Sequence, residues 1–386
     1  MQKYDVLIVG SGPAGASLSY YLAKKNLKVL LVEKKKHIDS PVRCAEFVSL
    51  NIASLFDFKI AGINNQTEIL ETYIAGNKNE RFNLVASTPS PGFILDREIF
   101  IRDLVQRFKE IGGILATGTK FVALNSAMPY PLSAISGASP GGYLDATLAD
   151  VDTGKLSNIK SFIIAWACGP LLSGISPGKG AYMYAIQQNL PVKSQYLSVN
   201  RVYFAPYIYG GYGWIFPKTA SINLGIGKAS AQGLKHNLEA FKKHLYHSGQ
   251  IPEPSFYRNL GNNKNNAVTG LAPVSGIAKN PATEKGGIFV GDAAGLCNPV
   301  TGAGIVNAIR SAKLASERIF QCLKQNDLNI LLGVKTDYEK EFGKSIERAL
   351  GKRKYMLDNW QNTAIAFPDL IRQTWVAFKD YWKQDL

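Results

Sequence analysis

The amino-acid sequence predicts an α/β protein: a parallel-sheet domain is interrupted by an α+β domain with an antiparallel sheet and followed by a C-terminal helical segment. Three observations predict it. Residues 4–35 read strand, glycine loop, helix, strand; a second strand, glycine loop and helix lies near residue 290; and the chain between them is mixed and rich in aromatic residues. The expected division gives residues 1–70, 93–180 and 265–325 to the first domain, 71–92 and 181–264 to the second, and 326–386 to the helical segment.

At the N-terminus, "YDVLIVGSGPAGASLSYYLAKKNLKVLLVEKK" forms a βαβ unit in order. Gly10 permits the tight turn, Gly12 lets backbone amides approach a pyrophosphate, and Gly15 lets the helix pack on the strand. Glu33, at the end of the second strand, is placed to accept from a ribose diol. This context makes the motif specific for a dinucleotide. Near the other end, "GGIFVGDAAGLCNPVTGAGIVNAIRSAKLASERI" runs from an apolar strand through Gly291-Asp292 into a small-residue helix. A glycine-rich helix start offers free N–H groups to an anion.

Between these motifs, "FILDREIFIRDLVQRFKEIGG" predicts a short strand and an amphipathic helix with Ile101, Leu104, Val105 and Phe108 on its apolar face. Residues 127–143 are rich in Pro, Ser and Gly. A meander follows, turning at Asp152-Thr153-Gly154, and then an aromatic-rich segment to about residue 264 with one helix near 230–247. Within it, "GYGWIFPK" places Tyr212 and Trp214 two apart, so that on a strand both rings face one side.

Composition narrows the partners. Forty-six per cent hydrophobic residues over 386 positions excludes a disordered chain. Forty-four Lys and Arg against 29 Asp and Glu give a net charge of +15, which suits nucleic acid, anionic lipid or an acidic electron carrier. The basic runs at 34–36, 242–243 and 352–354 are short and lack the pattern of any nucleic-acid motif, so nucleic acid is set aside. No run approaches the roughly 18 apolar residues of a spanning helix, and the N-terminus has neither the basic lead nor the cleavage pattern of a signal peptide. The expected location is the cytoplasm. Cys44, Cys168, Cys297 and Cys322 show no paired or metal-type spacing, and His37, His236, His244 and His247 read as surface.

The second motif resembles the second FAD motif of the glutathione-reductase-like flavoproteins. That resemblance implies that Asp292 contacts the ribityl chain and that Pro299, Thr301, Gly302, Gly304 and Ile305 line the isoalloxazine. The order of the N-terminal glycines, "PVRCAE", Arg97, "YGWIFPK" and "GDAAGLCNPVTGAGI" resembles, over nearly the whole chain, the geranylgeranyl reductase family. The family reduces isolated double bonds in isoprenoid chains with FAD. The resemblance implies a Rossmann-type FAD-binding domain and sets Arg43 and Cys44 on a loop facing the flavin. It also sets Arg97 near the FAD, and Tyr212, Trp214, Phe216 and Pro217 in the wall over the reacting bond. The family usually carries Asp-Gly where this chain has Cys168-Gly169, followed by Pro170 and Ser173. That departure favours a ferredoxin-like electron donor over direct use of NADPH, and the positive charge suits an acidic one.

The chemistry this implies is hydride transfer from reduced flavin to an alkene with no carbonyl to take the charge, so a proton must come with the hydride or before it. Cys44 is the expected donor, since a thiol of pKa about 8.5 is mostly protonated at neutral pH. Tyr212 and Trp214 are the expected face for the developing cation. Flavin-dependent halogenases share a W-x-W-x-I-P pattern, but Tyr212 and Phe216 depart from it. Aromatic hydroxylases usually have His where Gly295 stands, and a non-catalytic flavin and lipid-binding homologue is the third alternative. In "DLIRQTWVAFKDYWKQDL", Ile371, Trp375, Phe378 and Trp382 recur at helical spacing beside Arg372, Lys379 and Lys383. That face is expected to be either core or contact with an anionic membrane.

Overall fold

A computed structural model describes the chain except for residues 77–80, 125–141, 170–180, 192–198, 253–266 and 384–386. Most of the Pro-, Ser- and Gly-rich stretch, together with Pro170 and Ser173, lies outside the described residues.

The first sheet grows from β1 (Gln2–Val9), whose buried Val6–Val9 stretch pairs in parallel with β2 (Val29–Glu33) on one side. On the other side it pairs in parallel with the end of a strand more than 150 positions away, Val9 lying beside Trp166. The glycine loop leads into α1 (Pro13–Ala23), which is buried over nearly its whole length. The second sheet opens with β3 (Phe47–Ser49), β4 (Ile63–Ala75) and β5 (Phe82–Leu95). Then α2 (Arg97–Glu110) begins behind the Asp96 cap and buries Ile101, Leu104, Val105 and Phe108, the face anticipated from their spacing. The first sheet resumes with β6 (Ile114–Thr117), β7 (Thr119–Leu124), β8 (Leu144–Asp150) and β9 (Leu156–Trp166).

The second sheet continues through β10 (Tyr182–Pro191), β11 (Asn200–Phe204), β12 (Tyr212–Pro217) and β13 (Ser221–Lys228). It is backed by α3 (Leu234–His247) and completed by β14 (Val268–Pro273). Strand β15 (Gly287–Phe289) returns to the first sheet beside β9, and α4 (Ile305–Gln325) packs on α1. Three helices follow: α5 (Val334–Tyr338), α6 (Lys344–Asn359) and α7 (Phe367–Thr374). The strand orders are β6-β2-β1-β9-β8-β7, with β15 also on β9, and β14-β10-β13-β12-β11-β4-β5-β3.

Strand membership departs from the expected division in three places, the first being β3, which lies within residues 1–70 yet pairs with β5 in the second sheet. The β4–β5 hairpin runs unbroken across the boundaries at 70/71 and 92/93, because its two strands pair from Ile63↔Leu95 to Ala75↔Phe82. Likewise β14 lies beyond residue 264 yet pairs with β10 in the second sheet. The C-terminal stretch departs too. Helix α7 ends at Thr374 and Trp375 is extended, so Ile371 and Trp375 do not share a helical face with Phe378 and Trp382. Ile371 and Trp375 are core, with Trp375 packed 5.0 Å from Phe204 and 4.9 Å from Tyr212, whereas Trp382 is 56% exposed. His37, His236 and His247 are exposed. His244 is not simply surface: it is half-buried, with Nδ1 3.0 Å from the Tyr207 hydroxyl and its ring against Phe82.

Candidate active site

The parallel strands β1, β2, β9 and β15 end together, and their loops form the floor of a cavity of about 1410 Å³ that extends under the second sheet. Ligands in open α/β sheets collect at these carboxyl ends. The volume exceeds the roughly 300–1,000 Å³ usual for one drug-sized ligand, which leaves room for a dinucleotide and a second molecule.

At the nucleotide end the glycines divide the work. Gly10 has φ +102°, which only glycine adopts readily. A Cβ on Gly15 would stand 1.8 Å from the Gly10 carbonyl oxygen, whereas one on Gly12 would meet no atom within 4 Å. Gly12 therefore faces open cavity, and the first turn of α1 has no side-chain cap to occupy its free N–H groups. Glu33 lines the cavity, but it is not idle without a ribose. Its Oε2 accepts from the Ser11 backbone and hydroxyl at 2.9 and 3.0 Å, and Oε1 accepts from Lys35 N–H at 2.9 Å. Three of the carboxylate's roughly four acceptor sites are thus used, and Oε1 keeps one for a diol hydroxyl.

The second motif faces the same space. Asp292, Thr301, Gly302, Gly304 and Ile305 line it, and burial lifts the Asp292 carboxyl above the usual carboxylate range while Arg97 opposes the shift. Pro299 is placed differently: it is not among the described lining residues, and its carbonyl accepts from Arg353 Nη1 at 3.3 Å. Arg353, buried on α6, also donates to the Gly210 and Tyr182 carbonyls, and burial pushes it down to about 10. The glycine cradle, the free amides and the buried Asp292, whose neighbour Gly291 packs against Ala14 at the start of α1, fit an extended dinucleotide of the FAD type.

Beyond this lies the reaction end. Register pairs Tyr212, Trp214 and Phe216 with Gly227, Gly225 and Asn223, so three rings share the cavity face of β12. The glycines opposite make the space: a Cβ on Gly225 would lie 2.4 Å from the Trp214 ring. The other face of β12 packs on α3, with Gly213 against Phe241, so the strand is buried on both sides. Tyr212 donates to the Thr301 carbonyl at 2.5 Å, tying the aromatic wall to the turn of the second motif. Pro217 is buried at the strand end but is not among the described lining residues.

Cys44 and Arg43 both line the cavity. Burial pushes the Cys44 thiol up, and the adjacent Arg97 guanidinium pulls it the other way by interacting with the sulfur. Arg97 is itself held by a bidentate pair with Asp39 at 2.6 and 2.5 Å, and its backbone N–H donates to Glu46 Oε1 at 2.9 Å. Asp39, Glu46 and Trp375 also line the cavity and were missed by sequence reasoning, as were Lys218 and Asn223, which do not line it but hold Glu46. Glu46 and Lys218 stood at the ends of the two motifs already singled out, which was the available signal.

Residues 8–40 match the model of an NAD(P)-binding Rossmann-like domain. The chain is similar to digeranylgeranylglycerophospholipid reductase of Thermoplasma volcanium, with 29% identity covering 85% of this chain and 80% of that one. It is 28% identical to the protein of the same name from Methanothrix thermoacetophila, over 92% of this chain and 88% of the other. A geranylgeranyl bacteriochlorophyll reductase-like protein of Thermoplasma acidophilum has the same fold, with a TM-score of 0.73, 22% identity and 97% of each chain covered. The resemblance carried by the motifs therefore extends over most of the chain.

Proposed function

We propose that this chain, similar over most of its length to digeranylgeranylglycerophospholipid reductases, is an FAD-dependent reductase that saturates isolated C=C bonds of geranylgeranyl or polyprenyl chains. The observation that carries this reading is a single cavity with a dinucleotide cradle at one end and three aromatic rings facing Cys44's loop at the other. Bound there in its reduced form, FAD would supply the hydride.

The chain's own residues supply the rest. The desolvated Cys44 thiol stays protonated at neutral pH and can give its proton to one alkene carbon. The thiolate left behind is stabilised by Arg97, which Asp39 fixes in place. Positive character then develops on the more substituted carbon, against Tyr212 and Trp214. A cation over such rings gains about 0.5–2 kcal/mol, roughly tenfold in rate per 1.4 kcal/mol, so the rings assist while positioning and the proton supply the larger share. The apolar wall, with Phe216, Met183 and Trp375, accepts the hydrocarbon and excludes water.

Hydroxylase chemistry is disfavoured at one position. Gly295, where hydroxylases usually carry His, has φ +71°, and a Cβ there would lie 2.0 Å from the Gly276 carbonyl oxygen. No side chain fits this backbone.

The donor proposed is a small acidic one-electron carrier. At Cys168 a neutral thiol, pushed up to about 12 by burial, stands where the family usually has a carboxylate, and the +15 charge favours an acidic protein. Peripheral attachment to anionic membrane is proposed from the same charge and from exposed Trp382, over which Arg348 lies at 5.1 Å. Among the described residues no helix is long and apolar enough to cross a membrane.

The test is anaerobic photoreduction followed by addition of a geranylgeranyl lipid. Flavin oxidation without oxygen, with one H₂ gained per reduced bond by mass spectrometry, is the expected result. Flavin that stays reduced until oxygen is admitted would sink the reductase reading.

A further inference from the structure

We infer that Asn223 is a positioning residue that fastens the Cys44 loop to the aromatic strand, in a latch completed by the Lys218–Glu46 ion pair. The inference rests on the reductase reading for its purpose, though not for its geometry. Asn223 is fully buried on β13, opposite Phe216. Its Oδ1 accepts from Trp214 Nε1–H at 2.9 Å, while its Nδ2 donates to the Cys44 carbonyl at 3.1 Å and approaches Glu46 Oε2 at 3.4 Å. One amide thus grips the indole with one end and the thiol-bearing loop with the other.

Glu46 makes the second half of the latch. It is 1% exposed and sits at φ +67°, a left-handed conformation that a glutamate adopts only where surrounding contacts hold it. Its Oε2 takes Lys218 Nζ at 2.6 Å, its Oε1 takes the Arg97 N–H, and its own N–H donates to Cys44 Sγ at 3.3 Å. Lys218, 8% exposed, is the last residue of the "GYGWIFPK" stretch, and Glu46 is the last of "PVRCAE". The two motifs are therefore joined by a buried ion pair and a buried amide, neither of which tolerates loss of a partner well.

The arrangement has a chemical purpose. A thiol that protonates one carbon and a ring face that borders the cation on its neighbour must keep a fixed separation, and small displacements of reacting groups are costly in rate. The latch ties the two groups to each other as well as to the scaffold.

The test uses the FAD-loaded enzyme and Asn223→Ala, with iodoacetamide labelling of the Cys44 peptide followed by mass spectrometry, alongside kcat and KM for prenyl-lipid reduction. The expected result is a Cys44 alkylation rate about tenfold higher, kcat about tenfold lower and KM within about twofold, at unchanged FAD content. In a Cys44→Ala background, adding Asn223→Ala should cost about twofold or less, as expected for residues acting as a unit. If Asn223→Ala does not fold, the isosteric Asn223→Asp, which keeps the Trp214 acceptor and sets a carboxylate against Glu46 Oε2 and the Cys44 carbonyl in place of the donor, loosens the loop by repulsion and reads the same quantities. A folded variant with wild-type alkylation and wild-type kcat overturns the latch. Should the wild type reduce no prenyl lipid, the reductase reading fails, and the alkylation rate alone still decides whether Asn223 holds the loop.

Discussion

Two glycines three positions apart should fail in opposite ways. At Gly12, φ −67° and ψ −174° are ordinary for any residue, and a Cβ added there would meet no atom within 4 Å. Gly12→Val therefore leaves the unliganded fold within about 0.5 kcal/mol of wild type. It does fill the space through which a pyrophosphate would reach the α1 amides. Losing two hydrogen bonds to a charged group, at about 1.5–3 kcal/mol each, weakens FAD by roughly a hundredfold or more. Gly15→Ala meets the Gly10 carbonyl oxygen at 1.8 Å, far inside the roughly 3.5 Å at which nonbonded atoms rest. The helix must back away from β1, at a cost of about 3 kcal/mol against about 1 kcal/mol of helix propensity gained. The net loss of about 2 kcal/mol, over the roughly 2.1 cal/mol/K per residue of a 386-residue chain, lowers Tm by about 2–3 °C. Flavin absorbance after purification and thermal melts of the apoprotein read the two effects separately. Stoichiometric FAD on Gly12→Val, or a wild-type apo melt for Gly15→Ala, would refute this division of labour.

Trp214→Leu should slow alkene reduction by about tenfold or more, since it removes both the ring face and the indole N–H that Asn223 accepts, while FAD content holds; an unchanged rate per bound lipid would make the ring mere wall. Because burial raises the Cys44 thiol, its acid form persists through neutral pH, and alkene reduction should fall only as pH climbs through that raised value. Cys44→Ala should be slow and lack this alkaline limb, and an identical limb in the variant would reassign the proton to another group. Cosedimentation with anionic liposomes should weaken with salt and with Trp382→Ala, the exposed tryptophan, rather than with buried Trp375; no binding by wild type at low salt would refute membrane contact.

The sequence was most legible where a residue's task is local. Gly10 and Gly15 are dictated by a turn and a helix contact within a few positions, and the face of α2 by its 3.6 period. The alternate rings of β12 could be read as one face, but not which element lay opposite. That depended on the register with β13, which brings Gly225 and Asn223 across from Trp214 and Phe216. Glu46 and Lys218 were each visible inside a motif, yet 172 positions separate them and nothing in either stretch announces the pairing. The C-terminal periodicity misled for a physical reason: aromatic residues at helical spacing also suit a chain that leaves the helix at Thr374 to bury Trp375 against Tyr212.

The pairing of β1 with β9, and of β4 with β11, has a consequence for how the protein comes to exist in a cell. The cradle at residues 10–15 is without its counterpart at 292–305 until most of the chain has been synthesised, and parallel pairings over such separations form slowly. The flavin therefore has nothing complete to bind during translation. Once the halves meet, it binds only the folded form and deepens that state by about 2.7 kcal/mol at a hundredfold excess over Kd. Flavin supply then becomes a determinant of abundance: chains in a flavin-poor cell would visit the unfolded, protease-sensitive state about a hundredfold more often, and the cofactor would act as the last fastening of the fold as well as its reagent.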